Sequence, residues 1–206
     1  MNEITPLRRW IKVLLSELFE KNGTFIRSDL HAKAFTEWTG ATHSWLVKRW
    51  EEERQSRTGA VTTTCNSFLN IVVWKIRQAG GIAHRTFPSF NLPKAGGSAW
   101  KWASGGRLPK VGDFYQIGTR GGMYKHVGIV YEIQQQDEYS FSAYLFGRMV
   151  YWKVAEAGQG GPMLGYDAIK LSELRPMDTG VMGWIDVDEF FVDWKGPVIS
   201  NQSSTI

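Results

Sequence analysis

The chain has 206 residues, of which 43% are hydrophobic and 21% are charged, values typical of a folded protein that buries a substantial core. Its formal net charge of +4 is only a mild bias toward anionic surfaces, so the composition does not indicate a nucleic-acid partner. No segment approaches the ~18 uninterrupted apolar residues of a membrane span, and a single cysteine excludes an internal disulfide. Charged residues also interrupt the apolar N-terminal stretch, which is therefore not a secretory signal peptide.

The first part of the chain has the periodicity of helices. Residues 5–21 predict an amphipathic helix, with Thr5 as its N-cap and Pro6 at its first position. Its apolar face consists of Leu7, Trp10, Ile11, Leu14, Leu15, Leu18 and Phe19. Two further helical patterns follow before residue 55. We therefore expect a helical N-terminal region over residues 1–58.

The next segment, residues 59–81, holds the only cysteine of the chain. Thr64 is a suitable N-cap and the Gly80-Gly81 pair a suitable stop for a buried helix. Its apolar stripe is Phe68, Leu69, Val72, Val73 and Ile76. Cys65 then lies in the first turn, where free N–H groups and the helix dipole favour a thiolate. A lone cysteine in a helix is also often a small core residue, so this segment alone leaves nucleophile and core filler open.

After residue 81 the chain changes to loops and strand-forming segments. Residues 99–106 predict a short helix that ends at glycine, and residues 109–113 predict a turn that leads into a strand. The predicted strands are 114–117, 126–133, at least one within 139–161, and the segments DAIKLSEL and GWIDVDEFFVDW. Helices followed by a run of strands predict an α+β fold, with an antiparallel sheet packed on the Cys65 helix. The polar tail, residues 196–206, is predicted to be flexible.

Two kinds of side chain would make Cys65 a working nucleophile: an imidazole within hydrogen-bond reach and a polar group that orients the imidazole. His126 is the candidate base because it begins a strand directly after a glycine-rich turn. His84, in a loop, is a rival, and an ordinary strand-edge histidine is the alternative for His126. Glu156 and Gln159 are the candidate orienting residues, because they stand at a strand end after His126. Glu156 would hold the ring and stabilise its charge, whereas Gln159 would act as a neutral partner or contact the substrate.

Four segments, taken in order, resemble papain-like cell-wall amidases of the CHAP and NlpC types. They are TTTCNSFLNIVVWKIRQAGG, SAWKWASGG, LPKVGDFYQIG with its Pro-x-x-Gly-Asp turn, and KHVGIVYEI. The resemblance covers about residues 60–190 and implies a papain-like hydrolase domain over residues 59–195, with no cofactor and no metal. It also implies amide hydrolysis through an acyl-enzyme. Cys65 would attack the carbonyl, His126 would take and return the proton, and the Cys65 backbone N–H would help to form an oxyanion hole.

By the same resemblance, the expected substrate is peptidoglycan or another peptide, cleaved by an amidase or endopeptidase. An enzyme without a leader could reach the cell wall as a phage-type lysin or as an antibacterial effector of a contact-dependent machine such as type VI secretion. A secretion-machine carrier and an immunity protein are then candidate partners. We expect synthesis in the cytoplasm and action after export, in the periplasm or cell wall of a target cell. Two other classes stay open: a papain-like toxin with an intracellular protein or lipid target, and a non-catalytic binding module.

Overall fold

The computed structural model describes residues 4–27, 65–82, 91–105, 107–118, 125–135, 150–158, 168–174 and 180–197. The helices of this part of the chain are α1 (Pro6–Asn22), α2 (Cys65–Ala79), α3 (Leu92–Gly96) and α4 (Val187–Phe190). The strands are β1 (Phe25–Arg27), β2 (Trp100–Trp102), β3 (Phe114–Gly118), β4 (Lys125–Gln135), β5 (Val150–Ala157), β6 (Ala168–Leu174) and β7 (Val181–Ile185). Two short 3₁₀ turns, Gly97–Ala99 and Ala103–Gly105, flank β2.

The seven strands form one sheet in the order β1-β6-β5-β4-β3-β7-β2, and every neighbouring pair is antiparallel. Helix α2 packs on β4 and β5, near the centre of the sheet. The predicted α+β class, an antiparallel sheet packed on the Cys65 helix, is confirmed at this level. In the described segments, no helix is both long enough and apolar enough to cross a membrane.

Helix α2 follows the predicted apolar stripe. All five stripe residues are buried in one core: Phe68, Leu69, Val72, Val73 and Ile76. The helix ends at the glycine pair, where Gly81 has a φ of 63° that an L side chain rarely adopts. The Ile82 N–H then reaches back to the Arg77 carbonyl at 2.8 Å, which satisfies a backbone acceptor of the last turn. The predicted glycine stop is therefore confirmed.

Helix α1 belongs to the same core as α2. Thr5 caps α1 by accepting a hydrogen bond from the Arg8 N–H, and Pro6 occupies the first turn, as predicted. The α1 residues in this core are Leu7, Ile11, Leu15, Leu18 and Phe19. The prediction of an all-helical N-terminal region is wrong at β1, which pairs with β6 at the edge of the sheet. The described part of residues 1–58 therefore shares its core and its sheet with residues 59–195.

Two predicted elements have a different structure, the first because of a neighbouring strand and the second because of a local helix cap. Residues 100–102, predicted as part of a helix, form β2 and pair with Gly183–Ile185 of β7. The close approach needs Gly183, since a Cβ there would lie 2.1 Å from the Lys101 carbonyl oxygen. Residues 187–190, predicted as strand, form α4, whose N-cap Asp186 accepts a hydrogen bond from the Asp188 N–H at 3.1 Å.

Some predictions fall outside the described residues. These are the two helical patterns between β1 and residue 55, the Thr64 cap, the chain between β4 and β5, and the tail from residue 198. The turn before β3 and the strands β3, β4 and β6 are present where they were predicted. The segment 139–161 contains β5, as expected. The strands that position the candidate site are therefore all described.

A buried arginine joins α1 to the rest of the fold. The Arg8 side chain is 2% exposed, and its Nη1, Nη2 and Nε atoms lie 2.7, 2.6 and 2.6 Å from carboxylate oxygens of Asp113, Asp186 and Asp188. Nη1 also donates to the Val111 carbonyl oxygen at 2.8 Å. Burial raises the pKa of Asp113 to about 7, and the Arg8 charge opposes that rise. This cluster fixes α1 against the turn before β3 and the start of α4.

Candidate active site

The carboxylate of the site lies on the sheet face opposite the core shared by α1 and α2, whereas Cys65 belongs to that core. Side chains alternate between the two faces along a strand. On β5, Trp152 and Val154 belong to the second core cluster, so Glu156 shares their face. The other members of this cluster are Tyr115, Val130, Leu174 and Trp184. A buried carboxylate on the face of this apolar cluster requires polar partners, because an isolated buried charge is strongly disfavoured.

Cys65 is the first residue of α2, and its side chain is 8% exposed. Cys65 lies close enough to His126, near the start of β4, for the thiol to contribute to the raised pKa of the imidazole. The first N–H groups of a helix have no intrahelical partner and project outward beyond its N-terminal end. A reacting carbonyl beside the sulfur could therefore receive hydrogen bonds from the backbone of α2.

His126 connects Cys65 to Glu156. Its Nε2 lies 2.7 Å from Glu156 Oε2, and the two side chains are only 12% and 9% exposed. The structure thus brings together three of the predicted site residues, in the order thiol, imidazole, carboxylate. The expected face of β5, carrying Glu156, is the one that meets the ring.

Glu156 has three further partners, which sequence analysis did not identify. The Tyr115 hydroxyl donates to Oε2 at 2.9 Å, the Ser172 hydroxyl donates to Oε1, and Lys170 Nζ lies 3.5 Å from Oε1. Burial alone would raise the pKa of Glu156. The bonds from His126, Ser172 and Tyr115 outweigh burial and lower this pKa to about 2. The carboxylate is therefore ionised across the physiological pH range.

The His126 ring is stabilised in its charged form. Burial acts to lower its pKa, but the hydrogen bonds with Cys65 and Glu156, together with their charges, raise it from 6.5 to about 9. The charged ring lies beside the thiol, and the Glu156 carboxylate stabilises its positive charge. The arrangement therefore places a protonated imidazole next to the Cys65 sulfur at neutral pH.

Replacing Glu156 by glutamine should lower the pKa of His126 by about 1–2 units, because the ring loses its anionic partner. Titration of the ring proton resonances by NMR measures this pKa directly. In the folded wild-type chain the pKa is raised, so the ring contributes stability that is complete below pH 6.5 and lost as the pH rises through 9. The stability of the Glu156→Gln variant should therefore fall less between these pH values.

The matched control is Glu173→Gln, which removes an exposed carboxylate from the neighbouring strand β6. It should leave the His126 titration unchanged. The same pKa in the wild type and in Glu156→Gln would contradict the assigned electrostatic role of Glu156.

Two other candidates cannot be placed, since Gln159 and His84 lie outside the described residues. The partners that sequence analysis missed gave a weak signal: Lys170 and Ser172 alternate along β6 and so share one face, while Tyr115 stands within a predicted strand. Neither pattern reveals which neighbouring strand lies beside it. Within the described residues, no group of three or more His, Cys, Asp or Glu side chains is placed to hold a metal ion.

Comparison of the chain with protein-family models, curated proteins and solved structures gives no significant match. The functional inference therefore depends on the side chains around Cys65. Their residue types, contacts and charges limit the chemistry that this site can perform.

Proposed function

We propose that the protein is a papain-like cysteine hydrolase that cleaves amide bonds, with peptidoglycan peptides as its substrate. The observation that carries the proposal is the position of His126, which lies beside the Cys65 thiol and 2.7 Å from the Glu156 carboxylate. A nucleophile, a base and an orienting group in this relation are the shared feature of cysteine and serine acyl-transfer sites.

The proposed reaction begins with attack of the Cys65 thiolate on the amide carbonyl carbon. Electrons of the C=O bond move to oxygen, where the Cys65 N–H at the start of α2 stabilises the oxyanion. The tetrahedral intermediate collapses, the C–N bond breaks, and the His126 imidazolium gives its proton to the leaving amine. Neutral His126 then deprotonates a water that attacks the thioester. Release of the carboxylic acid product regenerates the thiolate and the imidazolium.

Glu156 remains ionised throughout this cycle. Its pKa of about 2 makes it a poor proton acceptor at neutral pH, so it stabilises the imidazolium and does not take the proton itself. The low pKa follows from the hydroxyl donors and the imidazole that surround the carboxylate. A neutral glutamine in its place would still orient the ring but would not stabilise its charge.

The chain order supports a papain-like arrangement. The cysteine begins a helix, the Gly-Asp turn leads into β3, the histidine lies near the start of β4, and the carboxylate lies near the end of β5. These three strands are neighbours in the sheet, and α2 packs on two of them. The order is the one implied by the resemblance to the CHAP and NlpC amidases.

Support for peptidoglycan comes from that resemblance and from the mild positive charge of the chain, which suits an anionic cell-wall polymer. The proposed biological setting is a phage-type lysin or an exported antibacterial effector. In the second case an immunity protein would protect the producing cell by covering the site. The intracellular toxin and the binding module predict different results in the following experiment.

The test is incubation of the protein with purified peptidoglycan, followed by mass analysis of the fragments. Cleavage of a stem or cross-link peptide should release fragments that together have gained one water for each bond cut. In parallel, iodoacetamide should label Cys65 rapidly at neutral pH. Rapid labelling without any fragments would overturn the peptidoglycan assignment and favour another peptide or a lipid as substrate. A thiol that reacts no faster than free cysteine would favour the binding module.

A further inference from the structure

We infer that Tyr115 is a positioning residue: its hydroxyl holds Glu156 against His126. Gly128 provides the space that the Tyr115 ring needs. The inference builds on the proposed function, since it assigns a role within the same site. It concerns a residue on β3, two strands away from Glu156 on β5.

The path of the Tyr115 side chain is the first observation. Neighbouring strands are about 4.8 Å apart, so Tyr115 and Glu156 stand about 10 Å apart in the sheet, with β4 between them. Tyr115 is paired with Gly128 of β4, and its ring crosses β4 at that glycine. A Cβ at Gly128 would lie 2.6 Å from Tyr115 Oη and 2.7 Å from its Cε1. Any larger residue at this position would therefore block the crossing.

The contact of the Tyr115 hydroxyl is the second observation. The Tyr115 hydroxyl donates to Glu156 Oε2, the oxygen that also faces His126 Nε2. Tyr115 is fully buried, and its ring packs edge-on against Trp152, with the centroids 6.3 Å apart. A ring fixed in this way can anchor the carboxylate oxygen that orients the imidazole.

The partners of Glu156 on β6 explain why the Tyr115 hydroxyl is needed on the side of β4. Ser172 and Lys170, both on β6, bind the other oxygen, Oε1. They draw the carboxylate away from β4, where His126 lies. The Tyr115 hydroxyl acts on the side of β4, so the carboxylate is held from both directions. Without it, we expect Glu156 to turn toward β6 and the bond to His126 to weaken.

The test measures how fast iodoacetamide alkylates Cys65 at pH 6, where an ordinary thiol with a pKa near 8.5 is less than about 1% ionised. The alkylation rate at this pH therefore measures how far His126 and its partners increase the reactivity of the sulfur above that of an ordinary thiol. Tyr115→Phe keeps the ring and removes only the hydroxyl. It should slow alkylation about tenfold, as expected for loss of one hydrogen bond to a charged group. Gly128→Ala should slow it by a similar factor, by displacing the ring.

The matched control is Tyr131→Phe. The Tyr131 hydroxyl bonds to Ser16 of α1 at 2.8 Å, so this variant removes a tyrosine hydroxyl from the same sheet but away from the site. Its alkylation rate should equal that of the wild type. A double variant, Tyr115→Phe with Glu156→Gln, should react at the rate of Glu156→Gln alone, because Tyr115 acts through Glu156.

A Tyr115→Phe protein with a lower melting temperature but an unchanged alkylation rate would overturn the inference, since the hydroxyl would then be only structural. The inference would also be overturned if the two substitutions slowed alkylation by factors that multiply in the double variant. Alkylation requires no substrate, so this result is separate from the peptidoglycan test. If Tyr115 and Glu156 are coupled but no peptidoglycan is cleaved, the positioning role stands and the proposed substrate falls.

Discussion

Replacement of Cys65 by alanine is expected to abolish hydrolysis, with a loss of roughly 10⁴-fold or more, because the acyl-enzyme can no longer form. The fold should persist. The side chain is small and 8% exposed, and alanine fills most of its volume, so the free energy of unfolding should fall by only about 1 kcal/mol. Fragment release from peptidoglycan measures the first effect, and thermal unfolding measures the second.

The accompanying variant is Cys65→Ser, which keeps a hydrogen-bonding group next to His126 but replaces the thiol by a less acidic and less nucleophilic hydroxyl. It should be almost as inactive as alanine while keeping the wild-type melting temperature. Because Cys65 is the only cysteine, one equivalent of iodoacetamide should inactivate the wild-type protein completely. Hydrolysis that survives in either variant, or after complete alkylation, would remove Cys65 from the mechanism.

Replacement of Arg8 by alanine is expected to destabilise the protein by about 3–5 kcal/mol, the usual result of removing one partner from a buried ion pair. The variant would leave Asp113, 1% exposed, without its counter-ion and close to two other carboxylates. For a chain of this size the melting temperature should fall by roughly 6–20 °C. Denaturant unfolding followed by tryptophan fluorescence gives the free energy.

The adjacent residue supplies the control. Arg9 is exposed on α1, so Arg9→Ala removes the same charge from the same helix and should change the stability by at most about 0.5 kcal/mol. Arg8→Lys should be intermediate, since an ammonium cannot reproduce the planar set of guanidinium donors. Equal stabilities for Arg8→Ala and Arg9→Ala would show that α1 is not held by the buried cluster.

The fold connects the prediction for Cys65 with the prediction for Arg8. The Gly-Asp turn places Asp113 directly before β3, which carries Tyr115 two residues later. Arg8 holds this turn from α1, and Tyr115 reaches Glu156 from β3. If a variant of Arg8 still folds, the alkylation of Cys65 should become slower only when the loss of Arg8 displaces β3. The comparison separates the stability of the fold from the geometry of the site.

The local sequence determined the elements whose signals lie within a few residues of one another. The stripe of α2, the Thr5 cap of α1 and the alternation in β4 predicted these elements, because helix and strand periodicity and capping act over one or two turns. Residue type and chain order also identified Cys65, His126 and Glu156 as candidates. A thiol at a helix start and a histidine at a strand start carry their chemical meaning without knowledge of the partner strands.

Only the tertiary structure decided the features that depend on distant neighbours. Strands β1 and β2 are three residues long, and such short segments become strands because β6 and β7 supply their hydrogen bonds. Tyr115 and Glu156 are 41 residues apart in the chain, and Arg8 and Asp113 are 105 apart. Their contacts follow from the strand order and from the packing of α1. No local pattern encodes which residues those long-range contacts bring together, so the sequence alone left them undetermined.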